Sequence, residues 1–355
     1  MKTVKNYKLK KFVIKNIAAL VVVAAAYIVF IGNTDIFAKI AVTNGFPIRF
    51  GNSSGENGGY LGKGNIITKL IGIDDIIYQP ETDIELSDDS PKINLTEEDI
   101  EKLSDFGYVK SNFYTIDKKT DLFEEDINAK DFLSYDLSID TETSGPKVLI
   151  FHTHSNEGFI DSDMSKGMEE GVYGVGERLK ELLEKKYGIS CLHHNGRYDI
   201  VDGKSQIIGA YERMEPNIRE ILKNNPSIEV VIDMHRDGVR DDIKLVTDIN
   251  GKKTAQIMFF NGICKLYQNG VLREISTLNS NYVKDNLALS FNLQLSANKL
   301  YPGFTRKIYI NAYRYSEHML PKSILVEVGA QTNTKEEACN AMEPLADILA
   351  SVLLE

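Results

Sequence analysis

Three apolar segments of the sequence each end in side chains that bind metals or move protons. KVLIFHTHSNEG (147–158) carries His154 and Glu157, IEVVIDMHRDG (228–238) carries His235, and SILVEVG (323–329) carries Glu327. Short apolar runs of this kind are typical of buried strands. In open α/β sheets, ligands bind beyond the carboxyl ends of the strands. We therefore expect these imidazoles and carboxylates to meet at one edge of a sheet.

The residue types at these strand ends suit a catalytic zinc site. Such a site takes three protein ligands from neutral imidazole and carboxylate and leaves the fourth position to water. His154, Glu157 and His235 can fill the first role. A separate carboxylate, Glu327, can then take the proton of a water whose pKa the metal lowers to about 7. The pattern predicts a metal-dependent hydrolase.

Two choices within this site stay open at the level of the sequence. His152 and His154 are two residues apart and share a face if the strand continues, so only one is expected to contact the metal. His154 is preferred because it lies nearer the loop. Glu169 and Glu170, just before a helical pattern, are rivals of Glu157 for the carboxylate ligand.

The elements that must position these groups are visible from residue 146 onwards. Short apolar runs alternate there with helical patterns of about 15–20 residues, which is typical of crossover units in a parallel sheet. The runs are apolar throughout, as expected for strands buried on both faces. We predict an α/β domain with a mostly parallel central sheet and helices on both faces.

Charge and cysteine content exclude several classes of function. The chain has 355 residues, 51 acidic and 41 basic, and 19 of the acidic residues fall within 81–145. An acidic chain lacks the basic face that nucleic acid requires. The three cysteines show no CxxC spacing, which argues against a disulfide framework or a thiolate zinc site. The aromatic residues of 81–145 are enough to dock part of this acidic stretch on a domain; a solvated linker is the alternative.

The N-terminus predicts export. Six lysines lie within the first 15 residues, and the apolar run that follows, about 20 residues long, could span a bilayer. The lysines favour a cytoplasmic N-terminus, with the remainder outside the cell membrane. A cleaved signal peptide is the competing interpretation. We divide the chain into a basic tip and transmembrane anchor (1–32), a juxtamembrane and acidic linker (33–112), and a catalytic domain (113–355).

The motifs together resemble those of a known family. KVLIFHTHSNEGF, NPSIEVVIDMHRDGV and SILVEVGAQTNTKEEA, in this order and spacing, look like stage II sporulation protein P. The resemblance covers roughly residues 113–353, with supporting stretches YERMEPNIREIL, YPGFTRKI and YRYSEHMLP. That family is similar in turn to zinc N-acetylmuramoyl-L-alanine amidases, in which a Glu in an E-x-G-x-x-x-N segment is catalytic. Glu327, Gly329 and Asn333 match that segment.

The resemblance implies a function and a set of roles. It implies a membrane-anchored peptidoglycan hydrolase that cleaves the amide between muramic acid and L-alanine during engulfment, with stage II sporulation proteins D and M as partners. A zinc endopeptidase acting on stem peptides or cross-links is the alternative. It also implies that Glu327 is the catalytic base and acid. Beyond the resemblance, our hypothesis is that His152 orients a ligand or assists the oxyanion. Arg236 or Arg314 would grip a stem-peptide carboxylate, unless either forms a structural ion pair.

Overall fold

The structure is a computed structural model and describes residues 90–354. The predicted anchor (1–32) and residues 33–89 of the predicted linker lie outside this range. Within residues 90–354, no helix is both long enough and apolar enough to cross a membrane.

Residues 90–354 contain eight α-helices and thirteen strands. The helices are α1 (Glu97–Leu103), α2 (Phe106–Phe113), α3 (Ala129–Leu133), α4 (Val172–Tyr187), α5 (Ala210–Asn224), α6 (Val283–Leu300), α7 (Lys335–Asn340) and α8 (Met342–Leu353). The strands of the central sheet are β1 (Tyr114–Ile116), β2 (Val148–Phe151), β3 (Cys191–His193), β6 (Val230–Asp237), β9 (Ile257–Gly262), β12 (Ile308–Asn311) and β13 (Lys322–Ala330). Three hairpins complete the set: β4 (Ile200–Val201) with β5 (Lys204–Ser205), β7 (Val246–Ile249) with β8 (Lys252–Ala255), and β10 (Lys265–Gln268) with β11 (Val271–Glu274).

The central sheet is mostly parallel, as the sequence predicted. Its strand order is β1-β12-β9-β13-β6-β2-β3. Neighbouring strands are parallel except at β13 and β9, which pair antiparallel. The carboxyl ends of β2, β6 and β13 therefore lie at the same edge of the sheet. The candidate site residues lie at this edge, either just after β2 or near the ends of β6 and β13.

Successive side chains of the strands pack on opposite faces of the sheet. On one face, Val230 and Ile232 join the large core built with α4, α6 and α8. On the other face, Val231 packs against Met214 and Ile218 of α5. Because both faces are covered, the strands are apolar throughout, which explains the runs seen in the sequence. The prediction of helices on both faces is confirmed.

The acidic stretch docks on the domain through its aromatic residues. The rings of Phe113 and Phe132 lie 5.0 and 5.7 Å from the ring of Phe291 on α6. Leu103 of α1 and Val109 of α2 are buried as well. Residues 97–112, which the sequence analysis assigned to the linker, thus form two helices packed against the domain. Leu103 and Val109 are the buried residues of this segment, and so few apolar contacts explain why the acidic composition concealed the packing.

Candidate active site and metal centre

Three side chains converge at the carboxyl edge of the sheet. The Glu157 carboxylate lies 3.6 Å from Nδ1 of His154 through Oε1 and 3.4 Å from Nδ1 of His235 through Oε2. Bonds of about 2.0–2.1 Å to a tetrahedral zinc place its ligand atoms about 3.4 Å apart. The three residues are at least 93% buried, and one potential ligand atom from each lies within 4.8 Å of the others. Two imidazoles and a carboxylate at these distances fit a zinc ion.

Backbone contacts hold Glu157 in place. Its carbonyl oxygen accepts a hydrogen bond from the backbone N–H of Val172 (2.9 Å), where α4 begins. Its carboxylate oxygen Oε2 accepts another from the backbone N–H of Arg236 (3.0 Å). A Cβ at position 171 would come within 2.4 Å of the Glu157 carbonyl oxygen, so this approach requires Gly171. Burial raises the pKa of Glu157, but His235 and hydrogen bonds from both histidines lower it below its usual value overall.

Asp233 holds His235 from the other side. Its Oδ1 lies 2.8 Å from Nε2 of His235 and accepts a hydrogen bond from the Thr153 N–H (2.9 Å), while Oδ2 accepts one from the Thr153 hydroxyl (2.7 Å). A carboxylate in this position orients a ligating imidazole. Burial lowers the pKa of His235, yet Asp233 and Glu157 together raise it well above its usual value.

Glu327 lies beside His235 on the neighbouring strand. The two are register partners of the parallel pair β13 and β6, so their side chains point to the same face. Glu327 is 1% exposed, and its Oε2 has no hydrogen-bond partner within residues 90–354. Burial, followed by the charge of Asp237, raises the pKa of Glu327 well above its usual value. A buried carboxyl with a raised pKa is suited to exchange protons with a reacting group.

Gly329 and Asn333 shape the turn that follows Glu327. Gly329 has a φ of +58°, and a Cβ there would come within 2.8 Å of Oδ1 of Asn333. The same oxygen accepts a hydrogen bond from the Ala330 N–H (2.9 Å), and the Asn333 amide donates to the Leu245 carbonyl (2.9 Å). These two residues of the E-x-G-x-x-x-N segment therefore have structural roles that fix the end of β13.

His152 points away from the centre. Its Nδ1 lies 2.8 Å from the Met234 carbonyl oxygen, and its Nε2 lies 2.9 Å from Nε2 of His193. Nδ1 of His193 lies in turn 2.7 Å from the carboxylate of Glu177 on α4. Burial, with His193 beside it, lowers the pKa of His152 to about 3. The ring nitrogens of His152 are thus directed to the backbone of β6 and to His193, and the structure brings His154 into the cluster instead.

The rival carboxylates lie outside the cluster. Glu169 and Glu170 form a short 3-10 helix with Met168 ahead of α4. Glu169 is exposed, and Oε1 of Glu170 lies 3.6 Å from Nζ of Lys335. Of the candidate carboxylate ligands, only Glu157 reaches both histidines within the part of the chain that the structure describes.

The two arginines expected to bind substrate have partners in the protein. Arg236 is 5% exposed, and its Nε donates to the Gly158 carbonyl (2.9 Å), which braces the loop after β2. Nη2 of Arg314 donates to Oε2 of Glu215 on α5 (3.0 Å), and Oε1 of Glu215 lies 3.1 Å from Nε2 of His318. Their role toward substrate stays a prediction.

Tyr211 is a neighbour of the centre that sequence reasoning missed. It lies on the first turn of α5, with its ring 5.6 Å from the ring of His154 in an edge-to-face contact. In the stretch YERMEPNIREIL, no motif or spacing distinguishes this tyrosine from the other residues of the helix. A lone tyrosine carries no spacing signal, so only the packing of α5 on the sheet places it here.

Comparison with known proteins agrees with the motifs. The sequence profile described as stage II sporulation protein P matches residues 75–350, which is more than three quarters of the chain. The chain belongs to this family. A member from Bacillus subtilis (strain 168), stage II sporulation protein P, is 24% identical over 227 residues. That alignment covers 59% of this chain and 52% of the Bacillus subtilis protein, so the chain spans about half of that relative.

Solved structures of amidases are similar to this family member at low identity. The N-acetylmuramoyl-L-alanine amidase AmiC2 of Nostoc punctiforme is 15% identical, with 60% of this chain and 97% of that chain covered and a TM-score of 0.33. The CwlD amidase of Clostridioides difficile is 14% identical, with 58% and 95% covered and a TM-score of 0.34.

Proposed function

We propose that this family member is a zinc-dependent peptidoglycan hydrolase that cleaves the amide bond between N-acetylmuramic acid and L-alanine. The observation that carries the proposal is the buried cluster of His154, Glu157 and His235 with Glu327 beside it. Because the chain belongs to a sporulation family, we infer that the substrate of this centre is the cell wall. The fit of Glu327, Gly329 and Asn333 to the amidase pattern favours the muramoyl amide as the bond cleaved.

His154, Glu157 and His235 would hold the ion. Bound there, zinc would supply Lewis acidity toward the amide carbonyl and lower the pKa of water. Glu327 accepts the proton of the attacking water and then donates a proton to the leaving L-alanine nitrogen, a reversal of roles that its raised pKa supports. Asp233 keeps the His235 imidazole in its orientation throughout.

Replacing Glu327 tests this division of roles. Glu327→Gln keeps the size of the side chain and removes its ability to accept a proton, so turnover should fall by about 10²–10⁴-fold while zinc stays bound. The full chain would digest purified peptidoglycan with and without zinc or a chelator, and mass spectrometry would identify the products. Metal content would be measured on the same preparations.

The products decide among three functions. Stem peptides that begin with L-alanine, released only with metal, would support the amidase. Cleavage confined to bonds inside the stem peptides would instead identify an endopeptidase. Unchanged release by Glu327→Gln, or loss of zinc from it, would contradict the role given to this residue. No release by a zinc-loaded wild-type chain would favour a wall-binding protein without catalysis.

We also propose that residues 1–32 anchor the chain in the cell membrane with the catalytic domain outside, and that it works with stage II sporulation proteins D and M. The basic tip and apolar run support the first statement. The second is what the resemblance of the motifs implies. Membrane fractionation with N-terminal sequencing would separate an anchor from a cleaved signal. Copurification from sporulating cells would test the partners.

A further inference from the structure

Two of the proposed zinc ligands are separated by a turn of only two residues. Ser155 and Asn156 lie between His154 and Glu157 in the loop that follows β2. Nδ1 of His154 is 3.6 Å from Oε1 of Glu157, and a metal site tolerates deviations of only about 0.2 Å in its bond lengths. The conformation of this turn therefore decides whether the two side chains can share one ion.

The carboxylate of Asp199 holds this turn with both of its oxygens. Oδ1 accepts a hydrogen bond from the Ser155 hydroxyl (2.7 Å), and Oδ2 accepts one from the backbone N–H of Asn156 (2.9 Å). Asp199 is 2% exposed and Ser155 is 1% exposed. Hydrogen bonds are stronger in such a low-dielectric interior than in water, and a buried carboxylate requires them. The turn is thus tied to Asp199 at two successive residues.

Asp199 is itself fixed by the elements around it. Its carbonyl oxygen accepts a hydrogen bond from the backbone N–H of Gln206 (2.6 Å), which closes the hairpin β4–β5. The carbonyl oxygen of the preceding residue, Tyr198, accepts from Nε of Arg213 on α5 (2.7 Å). The Tyr198 side chain is buried in the same apolar cluster as Met214 of α5. The position of Asp199 therefore follows that of α5.

The other contacts of the ligand loop come from different elements. Asp233 of β6 binds Thr153 at the start of the loop. At its end, Glu157 accepts from the backbone N–H groups of Arg236 on β6 and Val172 on α4. Asp199 adds a third direction, from the segment between β3 and α5, and it contacts the two residues that separate the ligands.

We propose that Asp199 is a positioning residue of the metal centre. It holds the turn of Ser155 and Asn156 so that His154 and Glu157 can bind the same ion. The inference rests on the zinc site of the proposed function and adds to it the group that sets the spacing of two ligands. Asp199 acts through its two hydrogen bonds to the turn, not through its charge.

Two substitutions of Asp199 separate hydrogen bonding from charge. Asparagine can keep both contacts, because its carbonyl oxygen accepts from the Asn156 N–H and its amide donates to the Ser155 hydroxyl oxygen. Partners that orient metal ligands contribute about 10–100-fold to metal affinity. Asp199→Ala in the full chain should weaken zinc binding by a factor in this range, whereas Asp199→Asn should bind zinc nearly as the wild type does. Isothermal titration calorimetry with zinc measures the affinities, and circular dichroism shows that each variant is folded.

Asp347→Ala is the matched control. Asp347 lies on α8, outside the ligand loop, and is 7% exposed. Its Oδ1 accepts from Nζ of Lys186 and from the Tyr187 hydroxyl, each at 2.8 Å. Loss of this buried carboxylate should lower the thermal midpoint of the metal-free chain and leave zinc affinity unchanged. The control thus separates a general loss of stability from an effect on the metal centre.

The contrary outcomes are distinct. Wild-type zinc affinity in Asp199→Ala would show that the residue serves the fold alone, and equal weakening in Asp199→Asn would assign its effect to charge; either result overturns the inference. If Asp199→Ala does not fold, Ser155→Ala decides, because it removes one of the two hydrogen bonds: weaker zinc binding supports the inference, and wild-type affinity overturns it.

The wild type separates this inference from the proposed function. A wild-type chain that binds no zinc would overturn both. A wild-type chain that binds zinc but releases no stem peptide would overturn the proposed hydrolysis alone, because the role of Asp199 is measured by affinity for the metal.

Discussion

At the scale of single residues, the residue type does not decide which of the candidate carboxylates could bind a metal. Their positions in the fold decide it. Glu157, Glu169 and Glu170 are chemically equivalent, but Glu157 alone lies within 3.6 Å of His154 and 3.4 Å of His235. Its carbonyl also begins α4 by accepting from Val172, so the position of the side chain is coupled to the fold. The turn between β2 and α4 therefore selects Glu157 as the candidate ligand.

The affinity for zinc should therefore depend on Glu157 and not on the two rival carboxylates. Glu157→Gln removes a charged ligand and should weaken zinc binding by more than about a hundredfold, since even partners of a ligand contribute 10–100-fold. Glu169→Gln and Glu170→Gln should bind zinc as the wild type does. Isothermal titration calorimetry of the three variants with zinc gives the comparison. Equal affinity in all three, or loss only in a Glu169 or Glu170 variant, would move the ligand to the 3-10 helix.

At the scale of elements, the approach of α4 to the sheet explains where His152 points. Gly176 of α4 faces the pair of histidines behind the metal cluster, and a Cβ there would lie 2.9 Å from Nε2 of both His152 and His193. The absence of a side chain at this position of the helix lets the two imidazoles meet at 2.9 Å. Of the two histidines of HTH, His152 therefore lies against α4 and His154 lies in the candidate metal cluster.

Gly176→Ala should destabilise the domain although alanine favours a helix. The gain in helix propensity is about 1 kcal/mol, whereas overpacking of a buried contact costs about 1–3 kcal/mol. We expect a net loss and a thermal midpoint lower by a few degrees, measured by circular dichroism. Lys185→Ala, at an exposed position of the same helix, is the control and should not lower the midpoint. A stabilised Gly176→Ala variant would show that the histidines can separate without cost.

At the scale of the whole molecule, the folded domain extends further toward the N-terminus than its motifs do. The helices α1 and α2 bury Leu103 and Val109 against the same core that supports the sheet. Lys299 of α6 also pairs with Asp99 of α1 at 2.6 Å. Residues 97–112 are therefore part of the folded unit, in contrast to a linker that ends at 112.

A fragment of residues 113–355 should be less stable than one of residues 90–355. Burial of a large aliphatic side chain contributes about 1.5–3 kcal/mol, and the shorter fragment exposes the core surface covered by Leu103 and Val109. We expect its free energy of unfolding, from urea titration, to be lower by about 3 kcal/mol. Equal stability of the two fragments would show that α1 and α2 are dispensable to the fold.

The sequence by itself determined the parts of this protein that depend on local pattern. Apolar runs alternating with helical segments predicted the mostly parallel sheet, because a strand buried on both faces must be apolar along its length. The positions of His154, His235 and Glu327 at strand ends predicted that they would meet, since parallel strands end at one edge. The family motifs added the assignment to stage II sporulation protein P, which the profile match confirms.

Only the tertiary structure decided which groups face one another. The register of β13 on β6 sets Glu327 beside His235, and the packing of α4 and α5 turns His152 away and brings Tyr211 in. These contacts join residues far apart in the chain, and their energies depend on pairing and close packing rather than on any local period. A sequence pattern can therefore name the candidates for such a site, but the fold chooses among them.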